Sequence, residues 1–385
     1  MGRFFTLGMA LLASWAATIP AATSKRHISR RRRSAPVNAR ARAAAHDEVM
    51  EDLARGAQIP VANAAALVPF FELLYRQQHG QMPGPVRILQ YGDSHTAADL
   101  WSGEMRARFQ EKFGDGGSGF SLAGRLRGYH REDVRASSTR GWRAGGLVGK
   151  PGDGINGLGG VSMTARLPRQ TVSLSAEGQN FELFYWQQPG GGSVQIYDNG
   201  SRVGRISTDG EQGPGYYRYE AAPGEHEIEA ETLDRAPVRL FGWVAENATG
   251  VTYEPLGING AQASIVTHWD RAVLRSNVER RNPALIVLAY GTNEAGQRTW
   301  TRESYGEMFS GLLQTLRNAA PTAAILVIGP PDRFIHTRKG WVEMNQMDAI
   351  VEAQIGAATA NGCAFLDMRA KMGGKGSMRE WVLAG

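Results

Sequence analysis

Cysteine occurs once in the 385 residues, at Cys363. One thiol cannot close an internal disulfide, and it excludes the multi-cysteine sites that hold structural zinc or iron–sulfur clusters. Its place in the short apolar run CAFLDM marks it as a core residue. Long hydrophobic runs are also lacking, since beyond the N-terminal segment no stretch approaches the roughly 20 apolar residues that span a bilayer. No glycine-rich phosphate loop and no metal-ligand spacing is present, so neither a nucleotide nor a metal cofactor is expected.

The body of the chain lacks excess positive charge. The formal net charge is +6, but Lys25, Arg26, Arg30, Arg31, Arg32, Arg33, Arg40 and Arg42 supply eight positives, and beyond His46 the chain is near neutral and slightly acidic. A nucleic-acid-binding fold gathers its Lys and Arg on one folded face, so nucleic acid is not an expected partner. Residues 24–46 read instead as a basic, disordered linker. Ahead of it, MGRFFTLGMALLASWAATIPAAT joins an early Arg, an apolar run and small residues at Ala21 and Ala22, the pattern of a secretory signal peptide. An uncleaved anchor is the alternative, because the Arg cluster behind the apolar run hinders translocation. Either way the expected location is the periplasm or cell envelope, with membrane contact only through this segment.

At 42% hydrophobic and 21% charged, the composition is globular and the length allows two domains. The folded body is expected to start near Asp47, with an amphipathic helix around Leu67, Phe70, Phe71, Leu73 and Leu74. VRILQY then reads as a strand, GDSH as a tight turn, and the pattern of Leu100, Trp101, Met105 and Phe109 as a helix closed by FGDGGSGF. Over residues 125–250 short alternating runs such as TVSLSA, FELFYWQ, SVQIYD and VRLFGWVAE predict an all-β sandwich. Strand and helix then alternate: VTYEPL, a helix from Ala261, ALIVLAY, a helix from Glu303, AAILVIG, a helix from Trp341, CAFLDM. Such alternation predicts a parallel sheet with helices on both faces. The domain reading is thus an α/β unit of residues 47–124 and 251–385, interrupted by the β-rich insert.

Ser94 in QYGDSHTAAD sits on a strand-to-helix turn, where a nucleophile is exposed at the carboxyl edge of a sheet. Gly-Asp-Ser is also ordinary turn and cap chemistry, so the tripeptide decides nothing alone. Two further Gly/Asn loops follow strands, GINGAQAS after VTYEPL and YGTNEAG after ALIVLAY. With these three blocks in order, the sequence resembles the GDSL/SGNH hydrolases, serine esterases with a flavodoxin-like three-layer αβα fold. The resemblance implies that Ser94 is the nucleophile and that its N–H, the N–H of Gly260 and the Asn293 side chain form the oxyanion hole. Gly260 is preferred to Gly257 because it immediately precedes the expected helix. Asp93 is expected to hold the turn through local backbone hydrogen bonds.

The extended GDSHTAADLWSGEMRARFQEKFGDGGSGF block, GINGAQ and the position of the insert resemble the bacterial peptidoglycan O-acetylesterases, in which the inserted module is similar to a carbohydrate-binding domain. That resemblance, over roughly residues 60–385, implies an acetylated glycan as the substrate. An O-acetyltransferase using the same Ser is a related alternative, and a non-catalytic carbohydrate-binding protein is an alternative of another class. Tyr185, Trp186, Tyr197, Tyr216 and Trp243 are candidates to stack on sugars, although aromatic residues in short strands are more often core.

The fourth block of the pattern, a late D-x-x-H supplying the catalytic His and Asp, does not follow CAFLDM. Of the eight histidines, His27 and His46 lie in the tail, His79 and His130 outside the blocks, His226 in the insert, and His268 inside an expected helix. His95 is too close in sequence to Ser94 to curl back, and His336 stands on a loop of the right edge but the wrong strand. Asp367 reads as a cap. The expectation is that the missing block and a final helix covering the sheet lie beyond Gly385; a chain without them would be a wall-binding protein.

Overall fold

The structure, a computed structural model, describes residues 39–384 apart from 57, 59, 339 and 345. The signal or anchor reading of residues 1–23 and the linker reading up to residue 38 lie outside the described residues. The last part of that linker is corrected: helix α1 runs Ala39–Gly56. Its first half, ARARAAA, is rich in the strongest helix former, and Ala45 and Val49, four apart on one face, are buried.

A 3-10 turn, Ala64–Leu67, leads into α2 (Val68–Gln78). Strand β1 (Val86–Gly92) is followed by a one-turn helix α3 (Ser94–Ala97) and by α4 (Leu100–Phe113). The chain then leaves the α/β unit. Strands β2 (Gly119–Leu122), β3 (Arg135–Ser138), β4 (Arg143–Gly145), β5 (Ser162–Ala165), β6 (Thr171–Gln187), β7 (Ser193–Asp198), β8 (Ser201–Ser207), β9 (Gly213–Thr232) and β10 (Val238–Glu246) form one nine-stranded antiparallel sheet.

The expected β-rich insert is hydrogen-bonded throughout as this one set of strands. The long β6 and β9 run side by side through it, and a bulge between Gly178 and Asn180 reverses the facing of β6. Val172, Leu174 and Ala176 before the bulge, and Phe181, Leu183 and Tyr185 after it, consequently enter the same core. The opposite face carries Phe120, Phe184, Trp186, Phe241 and Val244, which share a core with Leu89, Leu256, Trp269 and Leu274 of the α/β unit. The insert is thus fused to the α/β unit by apolar packing.

After it come β11 (Val251–Gly257), a 3-10 helix (Ala263–His268), α5 (Arg271–Arg281), β12 (Leu285–Ala289) and α6 (Arg302–Ala319). β13 (Ala324–Ile328) leads to a hairpin of β14 (Phe334–Thr337) and β15 (Gly340–Glu343). α7 (Met347–Ala360), β16 (Ala364–Leu366), α8 (Met368–Lys371) and α9 (Ser377–Ala384) complete the order, with α9 against α1. The five parallel strands run β11-β1-β12-β13-β16, the flavodoxin-like order with its switch point at β1. One face is covered by α2 and α4, the other by α5, α6 and α7. This is the expected α/β class with a β-rich insert.

Two local readings change. The helix expected from Ala261 is a 3-10 segment, and α5 starts only after Asp270, whose carboxylate caps the N–H groups of Ala272 and Val273. The helix expected from Trp341 starts at Met347, because the β-branched and aromatic residues on either side of Gly340 (φ 106°) pair as a hairpin first. Beside β13 and β16 one sheet face is covered by the turn at Ala64–Leu67 and by α2, with Ala62 and Phe365 exchanging backbone hydrogen bonds of 2.9 and 3.0 Å.

Candidate active site

Gly92 pairs with Gly257 on one side and with Ala289 on the other, so β1, β11 and β12 end level. Neighbouring strands lie about 4.8 Å apart, so the three loops that follow are neighbours in space. Those loops carry Ser94, Gly260 and Asn293.

Asp93, buried, caps α3 and accepts the backbone N–H of His95 at 2.9 Å, which leaves Ser94 as the exposed first residue of the helix. Beneath the turn, Gln90 donates to the Thr96 hydroxyl at 2.8 Å and accepts from the Tyr253 hydroxyl at 2.6 Å. A Cβ on Gly92 would lie 2.2 Å from Thr96 Oγ1, so glycine alone lets the strand turn this tightly. The His95 ring bonds back to Asp93 at 2.8 Å, away from Ser94. That bond raises the His95 pKa, against the opposing effects of burial and of the Arg333 charge. Among the described residues, no side chain hydrogen-bonds the Ser94 hydroxyl.

In the second loop the Ile258 N–H donates to the Gly92 carbonyl at 3.0 Å. Gly257 is buried under the Ser94 turn, whereas Gly260 (φ 77°) is exposed and faces open space. In the third loop Asn293 Nδ2 donates to the Ala261 carbonyl at 2.8 Å, which ties the second and third loops together and leaves a second amide hydrogen.

Behind Asn293 lies a residue that the sequence reading gave no role. Glu294 is wholly buried and accepts from the N–H groups of Ala263 (2.7 Å) and Gly291 (3.1 Å) and from the Tyr305 hydroxyl (3.2 Å). Burial, with a smaller effect of the Asp93 charge, pushes its pKa up to about 7. Gln354 continues the network to the Tyr290 carbonyl and the Tyr305 hydroxyl. An acid beside Asn293 in YGTNEAG was the available signal.

The structure also brings in a loop of the insert that the sequence reading set aside. The His130 N–H donates to the Ala97 carbonyl, Gly128 accepts from the Asn259 side chain, and the Tyr129 hydroxyl accepts the Asn259 N–H. Arg333, beyond β13, donates to the Thr292 carbonyl beside Asn293. The other histidines are engaged elsewhere: His226 with Asp198, His268 with Ser264, His79 with Tyr75. His336 stands in β14 of the hairpin, not on a loop, with its backbone opposite Trp341. Asp367 caps α8 through the Ala370 N–H, and Cys363 is buried, as read.

All five candidate sugar-stacking aromatics are engaged by packing or bonding within the fold. Tyr185, Trp186 and Trp243 are core residues, and Tyr216 bonds to Ser276 under the Arg280 guanidinium. Tyr197 is half-buried and donates to Glu231.

Residues 216–384 match the GDSL-like Lipase/Acylhydrolase family model, a span that begins in β9 and leaves out the Ser94 turn. A solved structure described as a peptidoglycan O-acetylesterase in action superposes with a TM-score of 0.70 at 25% identity, covering 82% of this chain and 88% of that one. In fold this chain is similar to the GDSL-like acylhydrolases. A family two carbohydrate esterase from Cellvibrio japonicus overlays far more loosely, with TM-score 0.23 and 13% identity over 59% of this chain and 85% of that one. An acetyl xylan esterase from the rumen bacterium Butyrivibrio proteoclasticus does likewise, with TM-score 0.22 and 10% identity over 60% and 88%. A search of curated proteins gave no match. Family and fold together support an ester-hydrolysing enzyme.

Proposed function

We propose that this acylhydrolase is an exported serine esterase that removes O-acetyl groups from cell-wall glycan, peptidoglycan, through an acyl-enzyme on Ser94. The observation that carries the reading is the convergence of Ser94, Gly260 and Asn293 on three level, adjacent strand ends. The Ser94 oxygen attacks the acetyl carbonyl, and the oxyanion takes hydrogen bonds from the Ser94 N–H, the Gly260 N–H and the free amide hydrogen of Asn293. Collapse expels the sugar hydroxyl, and water then releases acetate. Exposure supports Gly260 over the buried Gly257 as the donor. The likeness to a peptidoglycan O-acetylesterase supports the choice of substrate. Ser94 needs a proton acceptor, the part that the D-x-x-H block plays in the family the sequence resembles, and His95 is turned away onto Asp93.

The absence of a described partner for the Ser94 hydroxyl favours a second reading, a non-catalytic wall-binding protein. Acetate release from O-acetylated peptidoglycan by the wild type and by Ser94→Ala separates the two. Release that depends on Ser94 supports the esterase; release from neither, with wall binding intact in both, supports the binding protein.

A further inference from the structure

We infer that Arg125, Arg127, Arg298 and Arg333 form a cationic rim at the Ser94 edge that recognises a carboxylate on the glycan carrying the ester. This rests on the reading of the Ser94 edge as the esterase site. The loop from the insert that touches Ala97 and Asn259 carries Arg125, Arg127 and His130, all exposed. On the other side stand Arg298, exposed in the loop after Asn293, and Arg333, half-buried against the Thr292 carbonyl. That bond to Thr292, the neighbour of Asn293, holds Arg333 at the same strand edge as the Ser94 turn.

These arginines differ from the others nearby. Arg106 is locked on Asp99 at 2.7 Å, Arg131 on Asp133 at 2.6 Å, and Arg369 on Asp332 at 3.2 Å. Those pairs, with Asp93 on His95, engage the carboxylates of this edge, and Glu132 faces a cleft shared with Glu177 and Glu225. Among the described residues, no carboxylate lies within ion-pair distance of Arg125, Arg127, Arg298 or Arg333.

The chemistry of acyl transfer does not explain this charge. An acetyl ester is neutral, and its oxyanion is met by the N–H and amide donors. Nor does overall composition, since the chain beyond His46 is slightly acidic. Permanent cations left unpaired at the mouth of a site attract and orient an anion on the part of the substrate that remains after acetyl leaves, and guanidinium matches carboxylate geometry.

The test is binding, which does not depend on turnover. Fluorescent O-acetylated glycan fragments with free stem-peptide carboxylates are compared with the same fragments after their carboxylates have been amidated. We expect the acidic fragments to bind about 10-fold more tightly at low ionic strength, with the difference vanishing as salt rises. The double variant Arg125→Gln/Arg127→Gln and Arg333→Gln should each weaken acidic-fragment binding about 3- to 10-fold, while Arg202→Gln, exposed on β8, should not. Equal binding of acidic and amidated fragments, or no measurable binding of the acidic ones, overturns the inference. Ser94-dependent hydrolysis of a neutral aryl acetate is measured in parallel, so failure of the charge inference is distinguishable from failure of the esterase reading.

Discussion

A methyl group on Gly257 would sit 2.3 Å from the Ala97 amide nitrogen and 2.7 Å from the Asp93 carbonyl oxygen, so the second loop and the Ser94 turn share one closely fitted contact. Gly257→Ala must push the Ser94 turn out of place. We expect a stability loss of about 1–3 kcal/mol, as for overpacking elsewhere, and a loss of ester hydrolysis well beyond that of Gly260→Ala. At Gly260 the added methyl meets open space and the N–H is kept, so only the left-handed backbone costs, about 1 kcal/mol. Urea melts and aryl-acetate rates of the two variants check the contrast; equal damage from both would contradict it.

Asn293→Ala removes an oxyanion donor under the proposed mechanism. The expected result is a drop in kcat of about 10²–10³ with KM little changed. A KM effect alone would assign Asn293 to substrate binding instead.

Glu294 gives the native state a group that holds its proton to about pH 7, against 4.5 for an ordinary Glu. Between those values the folded chain binds more protons than the unfolded one, so stability falls as pH rises through this window, by about 3 kcal/mol in all. In Glu294→Gln this slope should be flatter, and the variant should be less stable at pH 5 because an amide offers one acceptor oxygen where two accept N–H donors. Urea midpoints at several pH values read both effects. An unchanged slope would refute the assignment.

At the junction of insert and α/β unit, Arg281 bonds to both Glu246 and Glu254, and Arg87 also holds Glu246. Although burial opposes ionisation of Glu246, Arg281 and Arg87 hold its pKa down at about 2. Its contribution is therefore present above pH 4.5 and is lost as pH falls toward 2. Arg281→Ala, which leaves buried carboxylates short of a partner, should cost about 3–5 kcal/mol. A melting temperature within a degree or two of the wild type would contradict this.

The parallel sheet was legible in the sequence because its strands, buried on both faces, stand out as the apolar runs VRILQY, ALIVLAY and AAILVIG between helical patterns. The loops bearing Ser94, Gly260 and Asn293 were legible because each follows a strand-like run, VRILQY, VTYEPL and ALIVLAY in turn. Other features depend on tertiary contacts that periodicity cannot express. Helix α1 packs on α9, remote in sequence. The aromatic residues Phe184, Trp186 and Phe241 alternate like those of a strand with one solvent face, yet that face is buried against the α/β unit. The loop around Tyr129 has no motif, and only the bonds to Ala97 and Asn259 bring it to the site.

The most direct measurement is acetate release from O-acetylated peptidoglycan by the full chain and by Ser94→Ala, each checked for folding by circular dichroism. The account predicts release by the wild type and a fall of at least about 10³-fold in the variant. Equal release by both folded proteins would contradict Ser94 as the nucleophile, and release by neither would contradict the esterase reading.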